Sequence, residues 1–130
     1  MNKAVKFVKD CGVFYLATED NGEPHVRPFG AITEYEGRVY ITTGSPKNVF
    51  KQMIKNPKVE ISATAADGSW IRLAGEASVD SNVAAKAAVK AEYPEIENIY
   101  KGRENEFMVL YLKNAIAKIY SNGQEEVIEI

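Results

Sequence analysis

The residues best placed to do chemistry are Thr42-Thr43-Gly44-Ser45-Pro46-Lys47-Asn48. Their order predicts a strand end, a tight turn and a helix start. A helix start presents free N–H groups and the positive end of the helix dipole, and a phosphate gains from both. Gly44 frees the backbone, and Ser45 is placed to cap the helix. Pro46 suits the first helical position, where no N–H is needed. Lys47 adds a full positive charge, and Thr42, Thr43 and Ser45 add hydroxyls. A lysine in the first turn opposes the dipole, which points to an anionic partner. The same residues also spell ordinary capping with a solvated lysine. A Walker-type loop is excluded, because the long glycine loop and its Gly-Lys-Ser/Thr ending are missing.

A second candidate is His25-Val26-Arg27-Pro28-Phe29-Gly30, inside a strand-like run. Proline removes a ladder donor and glycine loosens the backbone, so the pair marks a sheet edge or a bulge. Unpaired backbone there can also meet a planar polar ligand, with Arg27 as a nearby cation. The third candidate is Trp70-Ile71-Arg72-Leu73-Ala74-Gly75. Strand alternation puts Trp70 and Arg72 on one face, Ile71 and Leu73 on the other. Tryptophan beside arginine suits an anionic aromatic ligand, a subunit contact or a plain surface stack. Tyr93, Tyr100, Phe107 and Tyr111 offer further aromatic walls for core or interface. His25 is the only histidine and Cys11 the only cysteine, so neither a triad nor a metal cluster can be assembled around them. Cys11, beside Gly12 and before an apolar strand, reads as a small buried residue rather than a reactive thiol.

The frame that must hold these residues is mainly β. Residues 3–10 form a short amphipathic helix with Val5 and Val8 on one side. Val13–Thr18, Pro24–Thr33 and Arg38–Thr43 read as strands joined by turns at Asp20-Asn21-Gly22 and Glu36-Gly37. Residues 46–55 read as a helix with Val49, Phe50, Met53 and Ile54 on one face, stopped by Asn56-Pro57. Val59–Thr64 and Trp70–Val79 pair across Ala66-Asp67-Gly68. Ser81 or Asn82 caps a helix over Val83–Glu92, and Glu95–Tyr100 adds a short helical piece. Phe107–Leu112 and Ala115–Tyr120 form one long strand or a pair. Asn122-Gly123 leads into a tail strand over Glu126–Ile130. About six or seven strands and a few helical segments, mostly joined by short turns, predict an antiparallel β-barrel, closed or nearly closed, with flanking helices. The βαβα alternation of a parallel Rossmann sheet is missing.

A chain of 130 residues suits one domain with a single core, spanning residues 1–130. Its 16 Lys+Arg against 18 Asp+Glu give a net charge of −2, which argues against a nucleic-acid partner bound through a basic face. A single cysteine fits a reducing compartment. No apolar run approaches the roughly 20 residues of a membrane helix, and Met1–Asp10 has no signal-peptide core. The expectation is a cytoplasmic protein without membrane contact.

Taken in order, Arg27-Pro28-Phe29, the following hairpin, Thr42-Thr43-Gly44-Ser45-Pro46-Lys47-Asn48, the helix ending in Asn56-Pro57 and Trp70-Ile71-Arg72-Leu73-Ala74-Gly75 resemble the FMN-binding split-barrel family. The likeness is to the small proteins related to pyridoxamine 5′-phosphate oxidase, and it covers nearly the whole chain. It implies a Greek-key-like split barrel of six to seven antiparallel strands, and a homodimer holding FMN in grooves between the subunits. It implies that the backbone around Arg27, Pro28 and Phe29 holds the flavin ring. Thr42 and Thr43 would line the ring and ribityl region, while Ser45, Lys47 and Asn48 bind the phosphate. Trp70 and Arg72 would approach from the partner subunit. Full oxidases close on an Arg-Leu-x-Pro-type motif. This chain closes on Glu125-Glu126-Val127-Ile128-Glu129-Ile130, whose acids would repel a phosphorylated substrate, which argues against vitamin-B6 oxidation. Relatives that bind haem or a deazaflavin exist, and His25 does not decide between them.

The function so implied is that of an FMN-dependent oxidoreductase. It would pass electrons between a nicotinamide donor and a small acceptor such as a quinone, a nitro compound or free flavin. No side chain stands out as a general acid or base, in keeping with chemistry carried by the cofactor. One alternative is a non-catalytic FMN-binding or electron-transfer protein of the same fold. Another is a barrel without cofactor that acts in protein interaction.

Overall fold

Short apolar-alternating runs separated by two-residue turns build one sheet in the computed structural model, which describes residues 1–130. In chain order the elements are α1 (Lys3–Cys11), β1 (Phe14–Asp20), β2 (Glu23–Phe29), β3 (Ile32–Tyr35), β4 (Arg38–Gly44), α2 (Asn48–Lys55), β5 (Lys58–Thr64), β6 (Trp70–Asp80), α3 (Val83–Glu92), α4 (Glu95–Ile99), a 3₁₀ turn (Glu104–Glu106), β7 (Phe107–Ser121) and β8 (Gln124–Glu129). The turns Asn21-Gly22, Glu36-Gly37 and Asn122-Gly123 have positive φ at both residues, the hand that matches the twist of the strands they join.

All pairings are antiparallel, in the order β2-β1-β5-β6-β7-β4-β3, with β8 added beside β7. There are eight strands rather than six or seven, and the four α-helices fall on the four helical stretches expected at 3–10, 46–55, 83–92 and 95–100. The barrel is split: β2 and β3 are its two edges and do not pair with each other. The run expected as one strand over Pro24–Thr33 is therefore two. β2 is committed to β1 and β3 to β4, and Gly30-Ala31 carries the chain across the gap.

The long last strand is one element with a bulge. Lys113 pairs with Glu76 and Ile116 with Ala74, so β7 holds an extra residue opposite Gly75. Asn114 takes up the strain at φ 52. A side chain at Gly75 would meet the Lys113 carbonyl at 3.2 Å and the Leu112 Cβ at 3.2 Å, which makes glycine a packing requirement. Beyond the bulge β7 changes partner, from β4 at Phe107–Tyr111 to β8 at Ile116–Ser121.

Phe14, Leu16, Ile61, Ile71, Leu73, Leu110 and Ala117 fill the barrel, and Val5 and Val8 of α1 and Val49 and Met53 of α2 join that core. Each such aliphatic side chain contributes about 1.5–3 kcal/mol by leaving water. Ile54, expected on the buried face of α2, is 59% exposed. A second, smaller core lies under α3 and α4: Tyr40, Phe107 and Val109 of the sheet against Ala85, Val89 and Ile96. Asn82 caps α3, its side-chain oxygen accepting the N–H groups of Ala84 and Ala85. Cys11 is half-buried against the main core. Burial, then Asp10 and Asp67, push its thiol pKa up, which keeps it an inert thiol. No helix is long and apolar enough to cross a membrane.

Candidate functional site

The split in the barrel leaves a hollow where β2, β4 and α4 meet. It is a cavity of about 390 Å³. One wall is Arg27, Pro28 and Phe29 of the edge strand β2, with Gly30 and Ala31 beyond it. Another is Thr42 and Thr43 of β4 with Lys47 and Val49. The third is Tyr93, Glu95, Ile96, Ile99 and Tyr100, from α4 and its flanks. An apolar concavity carrying a few convergent polar groups is the usual form of a small-molecule site.

Arg27 stands out electrostatically. Its guanidinium donates to the Leu16 carbonyl at 3.1 Å, the Thr18 hydroxyl at 2.8 Å and the Gln52 side-chain oxygen at 2.9 Å. The Thr18 hydroxyl in turn donates to that same Gln52 oxygen at 2.5 Å. All of these acceptors are neutral, and Arg27 takes part in no ion pair. Burial alone draws its pKa down, but an arginine keeps its charge at any ordinary pH. A held, partly buried and uncompensated cation is a standing invitation to an anion. Lys47 is likewise free of any ion pair.

The link Gly30-Ala31 is fixed from the far wall. The Tyr93 hydroxyl donates to the Ile32 carbonyl at 3.1 Å and accepts the Ile32 N–H at 3.2 Å. Lys9 donates to the same carbonyl at 2.6 Å and pairs with Glu92 at 2.5 Å. Tyr100 lies over β4 so closely that a Cβ on Gly44 would stand 3.1 Å from its hydroxyl. Burial is the main cause that raises the Tyr100 pKa, so the phenol stays a neutral donor.

The helix start differs from the expectation. α2 begins at Asn48, with Lys47 in the cap position and no side-chain cap. Ser45 therefore does not cap, and Pro46 is not the first helical residue. The cause is tertiary. Gly44 pairs with Phe107, and the Ser45 N–H donates to the Glu106 carbonyl at 2.9 Å. These bonds hold the chain extended past the point where local turn chemistry would start a helix. Ser45 and Pro46 form a turn closed by the Lys47 N–H on the Gly44 carbonyl, 3.0 Å.

Of the residues singled out from sequence, Arg27, Pro28, Phe29, Thr42, Thr43 and Lys47 come together around one cavity. Asn48 does not; it opens with His25, Lys51 and Gln52 onto a separate polar hollow of about 520 Å³. Trp70 stacks on Tyr120 at 4.5 Å, and Arg72 lies 5.0 Å over the Trp70 ring. Both belong to β6, in the middle of the sheet path, and neither lines the cavity; Trp70 borders another hollow at the β5–β6 and β7–β8 turns. Glu125 borders that same hollow, Glu126 pairs with Lys3, and none of the tail carboxylates lines the cavity. The wall supplied by Glu95, Ile96 and Ile99 was not foreseen; the only sequence signal was a short helix after Tyr93-Pro94. No group of three or more His, Cys, Asp or Glu side chains could hold a metal ion.

Comparison with known proteins places this geometry. The family described as Pyridoxamine 5′-phosphate oxidase matches residues 1–121. A crystal structure of a NimC/NimA family protein from Clostridium acetobutylicum is 44% identical, with a TM-score of 0.93, covering 98% of this chain and 90% of that one. A pyridoxamine 5′-phosphate oxidase-related, FMN-binding protein from Nostoc punctiforme is 15% identical, TM-score 0.64, covering 97% and 90%. A heme-binding protein from Mycobacterium smegmatis is 18% identical, TM-score 0.79, covering 98% of this chain and 57% of that one. The last two show likeness of fold. No curated protein matches.

Proposed function

The chain belongs to the pyridoxamine 5′-phosphate oxidase family, and from that premise we propose that it binds FMN in the cavity between β2, β4 and α4. It works as an oxidoreductase, passing electrons between a nicotinamide donor and a small acceptor. The observation that carries this reading is the pair of uncompensated cations, Arg27 and Lys47, on one cavity whose other walls are largely apolar. An anionic, planar, amphipathic cofactor needs that combination.

When bound, FMN supplies the hydride and electron chemistry. The chain supplies the rest. Arg27 holds positive charge against the electron-rich end of the ligand. Free backbone groups on the β2 edge at Pro28, and on Gly30 just past it, would meet polar ring atoms. Lys47 neutralises the phosphate. Ile96, Ile99 and Tyr100 keep water from the opposite wall. His25 opens onto the other hollow, so no imidazole lines this cavity and the donor set favours flavin over haem.

The functional unit is a homodimer. Successive strands align Pro28, Tyr15, Ser62, Arg72, Lys118 and Val127 in one row, and Val26, Ala17, Glu60, Ala74 and Ile116 in the next. Tyr15, Val26, Ile116 and Val127 in those rows are 44–68% exposed, and Trp70 and Tyr120 lie one row beyond. A second copy covering this face would bring its Trp70 and Arg72 to the groove.

The test is an absorption spectrum of the purified protein before and after adding FMN, then NADPH. Twin flavin bands that bleach with NADPH support the reductase. Bands that persist favour a non-catalytic FMN carrier. A colourless protein that ignores added FMN sinks the assignment. A sedimentation run in parallel tests the dimer: a monomer holding FMN at full affinity removes the second copy from the site.

A further inference from the structure

We propose that Arg103 is a phosphate ligand of this site, a second cation beside Lys47 brought in by the segment between α4 and β7. The proposal rests on the FMN reading above and concerns a residue outside all three sequence motifs. Behind Tyr100 a smaller cavity of about 180 Å³ is lined by Gly44, Pro46, Lys47, Ile99, Tyr100 and Arg103. It shares Lys47, Ile99 and Tyr100 with the main cavity, so the two are parts of one groove, and both cations stand at this end.

The turn before α2 needs such help. A phosphate at a helix start is normally held by a fan of free N–H groups. Here the Ser45 N–H is taken by Glu106, the Lys47 N–H by Gly44, and Pro46 has none. The N–H groups of Phe50 and Lys51 both turn back to the Lys47 carbonyl. Asn48 and Val49 keep theirs, and the side-chain cap is missing. A dianion at this turn has too few backbone donors, and a guanidinium is the side chain that supplies several at once.

Arg103 is also positioned, not loose. Its Nη2 donates to the Ile99 carbonyl at 2.7 Å, and its Nη1 pairs with the Glu106 carboxylate at 3.0 Å, a half-exposed ion pair on the cavity wall that a phosphate dianion would compete with for the guanidinium. Its guanidinium lies 5.3 Å from the Tyr100 ring centre. The Arg103 N–H donates to the Tyr100 carbonyl at 2.8 Å, and the Glu106 N–H to the Arg103 carbonyl at 2.9 Å. Those bonds tie the segment 100–106 to itself, and the bond from Ser45 to Glu106 ties it to the phosphate turn. Two guanidinium N–H groups are used inside the protein, and the remaining ones are free for a ligand.

The experiment compares FMN with riboflavin, which lacks only the phosphate, by quenching of flavin fluorescence. In the unaltered protein FMN binds more tightly than riboflavin. Arg103→Ala weakens FMN roughly tenfold or more, the scale of a charge-assisted hydrogen bond, and leaves riboflavin unchanged. Arg103→Lys recovers part of the loss. Glu106→Gln, which frees the guanidinium from its carboxylate, tightens FMN and not riboflavin. If Arg103→Ala keeps the FMN-to-riboflavin ratio while Lys47→Ala loses it, Arg103 is no ligand and the flavin site stands. Equal binding of both flavins by the unaltered protein overturns the phosphate subsite alone. Binding of neither overturns the flavin reading together with this one. Circular dichroism melts of each variant separate lost binding from lost fold.

Discussion

Two arginines, Arg27 in β2 and Arg38 at the start of β4, show how differently one side chain can be used. Arg38 starts β4. It pairs with Asp80 at 3.8 Å and lies 4.2 Å from the Tyr111 ring centre, and Asp80 also accepts the Tyr40 hydroxyl at 2.7 Å. Tyr40, then Tyr111 and Asp80, push the Arg38 pKa up. Arg27 has only neutral acceptors, and burial pushes its pKa down. The protein has neutralised the first charge and left the second open. A charge left open beside a cavity costs desolvation with no compensating partner, so it is expected where a ligand completes it.

Substitution of these two residues breaks the comparison most directly. Arg27→Ala weakens FMN binding by about a hundredfold, near 3 kcal/mol, the upper range for hydrogen bonds to a charged group. Arg38→Ala leaves FMN affinity within about twofold, as expected of a site with no shared partner. A fluorescence titration of both variants decides it. Equal losses would show that the distinction between a neutralised and an open arginine has no functional content.

Lys47 is the second open cation, and it carries fewer internal bonds than Arg27. Lys47→Ala costs FMN about 1.5–3 kcal/mol. The melting temperature of the cofactor-free protein barely moves, since Lys47 is exposed and makes no side-chain bond that the fold uses. A large fall in melting temperature with unchanged affinity would assign Lys47 to the fold instead.

Two glycines sharpen the same contrast at lower energy. At Gly75 an added Cβ meets backbone, the Lys113 carbonyl at 3.2 Å, inside the bulge that bends β7. At Gly44 it meets the far end of a side chain, the Tyr100 hydroxyl at 3.1 Å. Gly75→Ala lowers stability by about 1–3 kcal/mol, the usual cost of overpacking, and leaves relative flavin affinity alone. Gly44→Ala costs roughly 1 kcal/mol, because Tyr100 can give. It is read mainly as weaker flavin binding, since Tyr100 is a cavity wall. Chemical denaturation beside flavin titration separates the two.

The same division explains what the sequence made visible. The hairpins were legible because Asn21-Gly22 and Glu36-Gly37 write their turn type into two residues. Arg27, Pro28, Phe29, Thr42, Thr43 and Lys47 were legible because proline inside a strand and a strand–turn–lysine order break local rules. The helix start was not, because the bond from Ser45 to Glu106 spans 61 residues, and no local pattern records it. The α4 wall and Arg103 escaped for the same reason. Glu95–Ile99 is a short helix of ordinary composition, and only the small core of Tyr40, Val89, Ile96 and Phe107 folds it back over the cavity. The split between β2 and β3 was legible in part: Pro28 and Gly30 mark a sheet edge, and β2 is one, but which strand stands across the gap is a fact of pairing.

The smallest effect belongs to the neutralised site. Asp80 is held below the ordinary aspartate pKa of 3.8, first by the Tyr40 hydroxyl, then by the Asn82 N–H and the Arg38 charge. A carboxyl whose pKa is lower in the folded state binds its proton more readily once unfolded. Its contribution to stability is therefore complete above pH 3.8, the unfolded value, and is lost as pH falls through the lower folded one. Arg27, with no carboxylate partner, adds nothing to this window. Melting curves of the cofactor-free protein should thus fall with pH below that point, and Asp80→Asn should flatten part of the slope. Arg27→Ala should leave the slope as it was. If Arg27→Ala flattened it instead, Arg27 would have an acidic partner in solution, and the open cation on which the site depends would be closed.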